Sequence, residues 1–103
     1  MWFVDVGPVR GREQGKDRPA LVVSSQFHLD LTMGHLVSVL PLTSVERRGW
    51  RHRVHVASAG GWVITEQVRT VSAGRFRRRA PELALSEDEL EEVRRVLTHM
   101  LIV

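Results

Sequence analysis

The chain has 103 residues, 43% of them hydrophobic, with 15 Lys and Arg against 12 Asp and Glu and no cysteine. That length gives room for one small domain, taken as residues 1–103, whose surface-to-volume ratio leaves so little margin that association into a dimer would help it. A disulfide framework and a thiolate metal site are excluded, and no apolar run approaches the ~20 residues that cross a bilayer.

The opening Met1-Trp2-Phe3-Val4-Asp5-Val6 has no basic region followed by a long apolar segment, so it does not read as a signal peptide, and a soluble cytoplasmic protein is expected. Trp2–Val6 alternates loosely and stops at Gly7-Pro8, which predicts a strand. A polar segment punctuated by Gly11 and Gly15 follows, then Arg18-Pro19 and the apolar run that ends at Ser25, read as a buried strand. Phe27–Thr32 is expected to hold a helical turn, and His35–Leu42, with Val37, Val39 and Pro41, a third strand. Arg53-Val54-His55-Val56 alternates as a half-buried strand does. Gly60-Gly61 marks a turn before Trp62–Ile64 and Val68–Val71, two further short strands. The period then changes. Ser86 and Glu89 form a capping box, acidic residues crowd the first turn, and Leu90, Val93, Leu97 and Met100 share one helical face.

Charge is unevenly placed along the chain. Residues 1–42 balance, whereas Thr43–Arg79 carries nine arginines against Glu46 and Glu66, and the remainder is acidic. Clustered arginine is the electrostatic footprint of a phosphate-rich partner. Trp50 stands among Arg47, Arg48, Arg51, His52 and Arg53. A tryptophan so placed suits stacking on an unpaired base while its neighbours follow phosphates, and it suits packing on a hairpin equally well. Arg77-Arg78-Arg79 reads as a solvated run before the helix, with extension of an RNA groove as the alternative. The five histidines do not show metal-ligand spacing with matching carboxylates, so no metal and no cofactor is expected. None of them is assigned to catalysis, and His52 and His55 are the two to test for a proton shuttle.

Four ordered segments together are specific: Trp2–Pro8, Gly11–Ser25 with its Arg18-Pro19 join, Pro41-Leu42-Thr43-Ser44, and Thr65-Glu66-Gln67-Val68-Arg69-Thr70-Val71. This set resembles the MazF/PemK (Kid) family of toxin endoribonucleases. The resemblance implies a mainly β (α+β) fold, a small SH3-like β-barrel of the kind shared by MazF and the gyrase toxin CcdB, with a C-terminal α-helix. It implies a type II toxin: a metal-independent endoribonuclease that cuts single-stranded RNA at a short sequence and leaves a 2′,3′-cyclic phosphate and a 5′-hydroxyl. It also implies a homodimer and a cognate MazE-like antitoxin whose acidic segment occupies the RNA groove. Leu97, Met100 and Leu101 are candidates for the dimer face.

By the same resemblance, Arg18 and Thr43 match the family's catalytic arginine and threonine. The chemistry suits them, because a guanidinium forks onto phosphate oxygens and stays charged, and a hydroxyl hydrogen-bonds the phosphate or the 2′-hydroxyl. Asp5 and Glu13 match acidic positions that orient the arginine or touch RNA. Gln14 and Gln67 are placed to read base edges, since an amide both donates and accepts. Trp50, Arg51 and Arg53 complete the RNA-binding set, and Asp17 is a candidate ion-pair partner that would partly quench Arg18. Three rival readings remain open: a non-catalytic toxin of the same fold that poisons a protein such as gyrase, a catalytically dead module that binds nucleic acid or antitoxin, and a plain scaffold domain, against which the arginine clustering argues. The Arg-Pro and Pro-Leu-Thr-Ser motifs argue against the first.

Overall fold

The computed structural model describes residues 1–5 and 17–101. Seven strands and two α-helices follow in chain order: β1 (Trp2–Asp5), β2 (Asp17–Val22), α1 (Gln26–Leu31), β3 (Leu36–Thr43), β4 (Val54–Val56), β5 (Gly61–Val63), β6 (Arg69–Ser72), β7 (Phe76–Arg79) and α2 (Glu87–Leu101). Every described pairing is antiparallel. The path β4-β5-β3-β2-β1-β7, with β6 also on β3, leaves β4 and β7 at its two ends, so the sheet is open while keeping the architecture of a small barrel.

The strand β3 organises the molecule because it is buried on both faces. Successive side chains of a strand point to opposite faces. Val37 and Val39 accordingly join Val4, Ala20 and Val71 in one core, while Leu40 and Leu42 join Leu21, Val54, Val56, Val63, Val93 and Val96 in a second. The β2 residues divide the same way, Ala20 to the first core and Leu21 to the second. Fully burying an aliphatic side chain stabilises the fold by ~1.5–3 kcal/mol, so the completely buried Val39, Leu40, Val56 and Val63 contribute heavily.

Helix α2 covers the second core through Val93 and Val96, with Leu97 packed beside them. The expected apolar face is therefore turned: Val96 enters the core, and Met100 stays 43% exposed. The capping box forms as expected, with the Glu89 N–H donating to Ser86 Oγ at 3.1 Å and the Ser86 N–H to Glu89 Oε1 at 2.9 Å. The second Glu89 oxygen accepts the Ala57 N–H at 3.0 Å, which ties the helix start to the turn after β4. The Ala57 and then the Ser86 N–H hold the Glu89 carboxyl below the ordinary carboxylate range. A depressed folded value contributes stability that is present above the unfolded value and lost as pH falls through the folded one. Glu89→Ala should therefore lower the thermal midpoint at neutral pH by about 4–8 °C, for a cap worth ~1 kcal/mol. The gap to wild type should close on acidification below the ordinary value of 4.5, which thermal scans across pH would show.

Strand β7 is the element that the sequence concealed. Its Phe-Arg-Arg-Arg carries no apolar alternation, yet it pairs with β1 through Trp2↔Arg79 and Phe3↔Arg78. The arginine run is thus an edge strand, and its side chains are exposed. No described helix is long and apolar enough to cross a membrane.

Candidate active site

Strands β2 and β3 pair through Ala20↔Pro41, Leu21↔Leu40 and Val22↔Val39. Continuing that register by two residues brings Arg18 level with Thr43, 25 positions away in sequence. At that end the two strands take other partners: Asp17–Ala20 pairs with β1, and Leu42 and Thr43 pair with Val63 and Trp62 of β5. The divergence leaves a pocket of about 320 Å³ lined by Arg18, Pro19, Leu42, Thr43, Ser44, Val45, Ala59, Gly61 and Leu83. Apolar walls with a few convergent polar groups are the usual make-up of a ligand site.

Each polar group has a local reason for its place. Pro19 fixes its own φ and biases Arg18 towards extended backbone, so the guanidinium leaves from a strand that the core holds rigid. The Val45 N–H donates to Thr43 Oγ1 at 3.1 Å, a side-chain turn that orients the hydroxyl and leaves its O–H to donate elsewhere. Gly61 is required for space. A Cβ there would lie 2.6 Å from the Thr43 carbonyl oxygen, so the backbone of β5 comes as close to Thr43 as it does only because position 61 has no side chain. The sequence marked Gly61 as a turn residue and missed this role, as it missed Ser44, Val45, Ala59 and Leu83 in the pocket wall.

The structure brings Arg18 and Thr43 together, and the other described candidates, Asp5, Trp50, Arg51, Arg53 and Gln67, are not among the residues that line that pocket. Asp5 lies directly opposite Asp17, and the expected Asp17–Arg18 pairing is replaced: Asp17 faces Arg77 at 3.7 Å. Neighbouring residues of a strand project to opposite faces, which carries the Asp17 side chain away from that of Arg18. Trp50, Arg51 and Arg53 belong to the β3–β4 connection, which starts at the pocket wall. The guanidiniums of Arg47 and Arg53 lie 5.1 and 4.6 Å from the Trp50 ring centre, and Trp50 remains 43% exposed. Arg53 is also engaged below: its Nε and Nη2 donate to Glu66 at 3.3 and 2.6 Å, and its side chain is 8% exposed. The same carboxylate meets His52 Nε2 at 3.1 Å, and the buried Thr65 hydroxyl donates to the His52 carbonyl at 2.6 Å. Hydrogen bonds from Arg53 draw the Glu66 carboxyl below its ordinary range. Glu66, which the sequence reading left without a role, thus anchors the connection that displays Trp50. Arg51 and Gln67 are exposed, and Glu13 and Gln14 lie outside the described residues.

A family profile described as the PemK-like, MazF-like toxin of type II toxin–antitoxin systems matches residues 1–101. The chain belongs to that family. Among solved structures, a MazF of Deinococcus radiodurans is 33% identical over 99% of this chain and 92% of its own, with a TM-score of 0.66. A MazE–MazF complex from the same organism contains a chain 28% identical over 97% of this chain and 89% of that one, with a TM-score of 0.73. A mycobacterial endoribonuclease in complex with its cognate antitoxin shares the fold at 17% identity and a TM-score of 0.71, covering 97% and 88% of the two chains. No curated protein sequence matches significantly. In this member of the PemK/MazF family, the pocket between β2 and β3 is where two of the four segments that carried the resemblance, Arg18-Pro19 and Pro41-Leu42-Thr43-Ser44, converge.

Proposed function

We propose that this family member is a metal-independent, sequence-specific endoribonuclease, acting in the cytoplasm as the toxin of a type II system. The observation that carries the reading is the convergence of Arg18 and Thr43 on one pocket from separate motifs. With single-stranded RNA bound, the 2′-hydroxyl gives up its proton to solvent as its oxygen attacks the adjacent phosphorus, the bond to the 5′-oxygen breaks, and that oxygen takes a proton from solvent, leaving a 2′,3′-cyclic phosphate and a 5′-hydroxyl. Arg18 forks onto the non-bridging oxygens, where negative charge develops, and stays cationic throughout. The Thr43 hydroxyl, with Val45 as its donor, hydrogen-bonds the phosphate or the attacking hydroxyl. Asp5, one residue beyond the Val4 that faces Arg18, orients the arginine's end of β2 through its ion pair with Arg77.

Beyond the pocket, Trp50 offers an exposed ring for base stacking, Arg51 meets phosphate, and Arg53 acts through Trp50 and Glu66. Glu13, Gln14 and Gln67 complete the RNA-reading set. A MazE-like antitoxin with an acidic segment is the natural inhibitor of so basic a surface, in keeping with the MazE–MazF assemblies of the Deinococcus neighbours. A homodimer accounts for exposed apolar residues such as Met100 and Leu101.

Incubating the protein with a long, structure-poor RNA in EDTA tests the chemistry. Discrete cuts with cyclic-phosphate ends are expected, and mapping them gives the recognised sequence. Cleavage that appears only on adding magnesium would sink the proposed chemistry. Intact RNA together with growth arrest would favour a non-catalytic toxin.

A further inference from the structure

The last described residue before the segment 6–16 is Asp5 and the first after it is Asp17, and the two are directly opposed in the β1–β2 ladder. Like charges facing one another across strands destabilise the pairing. A third strand answers this opposition. Arg77 Nη2 lies 3.4 Å from Asp5 and its Nε 3.7 Å from Asp17, while its Nη1 donates to the Gly74 carbonyl at 2.9 Å.

A register shift aims the guanidinium. Along β1–β7 the partners run Trp2↔Arg79, Phe3↔Arg78, then Val4↔Phe76, so Arg77 is an extra residue in the ladder. Regular alternation would have set Arg77 opposite Val4, which is fully buried, and an arginine there would meet an apolar core. The bulge gives that place to Phe76, whose ring meets Trp2 edge-on at 5.5 Å, and frees Arg77 to reach both carboxylates.

We propose that Arg77 is a positioning residue: by bridging Asp5 and Asp17 it holds the first residues of β2, and with them Arg18, in the geometry that serves the pocket. The role rests on the nuclease reading of that pocket, but the bridge itself can be tested without it. The experiment compares wild type, Arg77→Ala and Arg77→Ala/Asp17→Asn by residue-resolved amide exchange at Asp5, Asp17 and Arg18, and by kcat and KM on an RNA oligonucleotide. Half-exposed ion pairs are individually modest, so Arg77→Ala is expected to speed exchange and lower kcat by roughly three- to tenfold, with KM unchanged. Adding Asp17→Asn removes the opposed charge and should restore both. High salt should speed exchange in wild type and, by screening the two opposed carboxylates, slow it in Arg77→Ala. Unchanged exchange in Arg77→Ala overturns the proposal. So does a raised KM that Asp17→Asn fails to rescue, which would make Arg77 a phosphate contact instead. If wild type cleaves no RNA while exchange behaves as expected, the nuclease reading falls and the bridge stands.

Discussion

Replacing Arg18 by alanine is expected to lower RNA cleavage by ~10²–10³-fold, the usual loss when one preorganised donor to a developing oxyanion is removed. The side chain leaves a residue whose backbone pairs with Val4 of β1 and which lies two residues beyond the β2–β3 ladder, at the wall of the pocket, so the effect should fall on the rate and spare the fold. Arg18→Lys separates charge from geometry. An ammonium keeps the positive charge but cannot fork onto two phosphate oxygens, so this variant should fall between alanine and wild type. A quenched-fluorophore RNA assay with thermal melts alongside measures both. An Arg18→Ala protein that is normally folded and cleaves within tenfold of wild type would remove this residue from the chemistry.

Gly61→Ala is expected to damage stability and activity together. The new methyl would stand 2.6 Å from the Thr43 carbonyl oxygen and 3.3 Å from its carbonyl carbon, both backbone atoms, so no side-chain rotation relieves it. Either β5 slides away from β3 or Thr43 moves, and overpacking of this kind costs ~1–3 kcal/mol. For a domain of this size that corresponds to a fall of roughly 5–20 °C in thermal midpoint. Gly60 provides the comparison. At φ +63°, with nothing within 4 Å of a built Cβ, Gly60→Ala strains only the backbone. Both variants should melt early, but below their midpoints only Gly61→Ala should lose turnover per folded molecule. Equal turnover in the two would mean that the β5 approach does not set the position of Thr43.

Reading the fold from the sequence succeeded where the signal was local. The Ser86–Glu89 capping box and the alternation of Val54 and Val56 depend on residues a few positions apart, and both appear in the structure; of the expected Gly60-Gly61 turn, Gly60 closes the turn and Gly61 already opens β5. Strand β7 escaped because its three arginines carry no apolar pattern, and only the edge of β1 makes a strand of them. The turned face of α2 has a similar cause: periodicity says that a helix is amphipathic, but the core it meets selects Val96 over Met100.

The candidate site divides along the same line. The sequence by itself determined which chemical groups are present and which ride on strands, because Arg18-Pro19 and Pro41-Leu42-Thr43-Ser44 sit at strand ends marked by proline and apolar runs. Only the tertiary structure decided which of them meet. Arg18 and Thr43 converge because β2 and β3 run antiparallel and then part to different neighbours. Arg53 turns inward to Glu66, and Asp17 faces Arg77, the bulged residue of β7, from the far side of β1. Charge in a sequence fixes no direction. Register, strand face and the distance to the nearest opposite charge do, and those exist only once the sheet has formed.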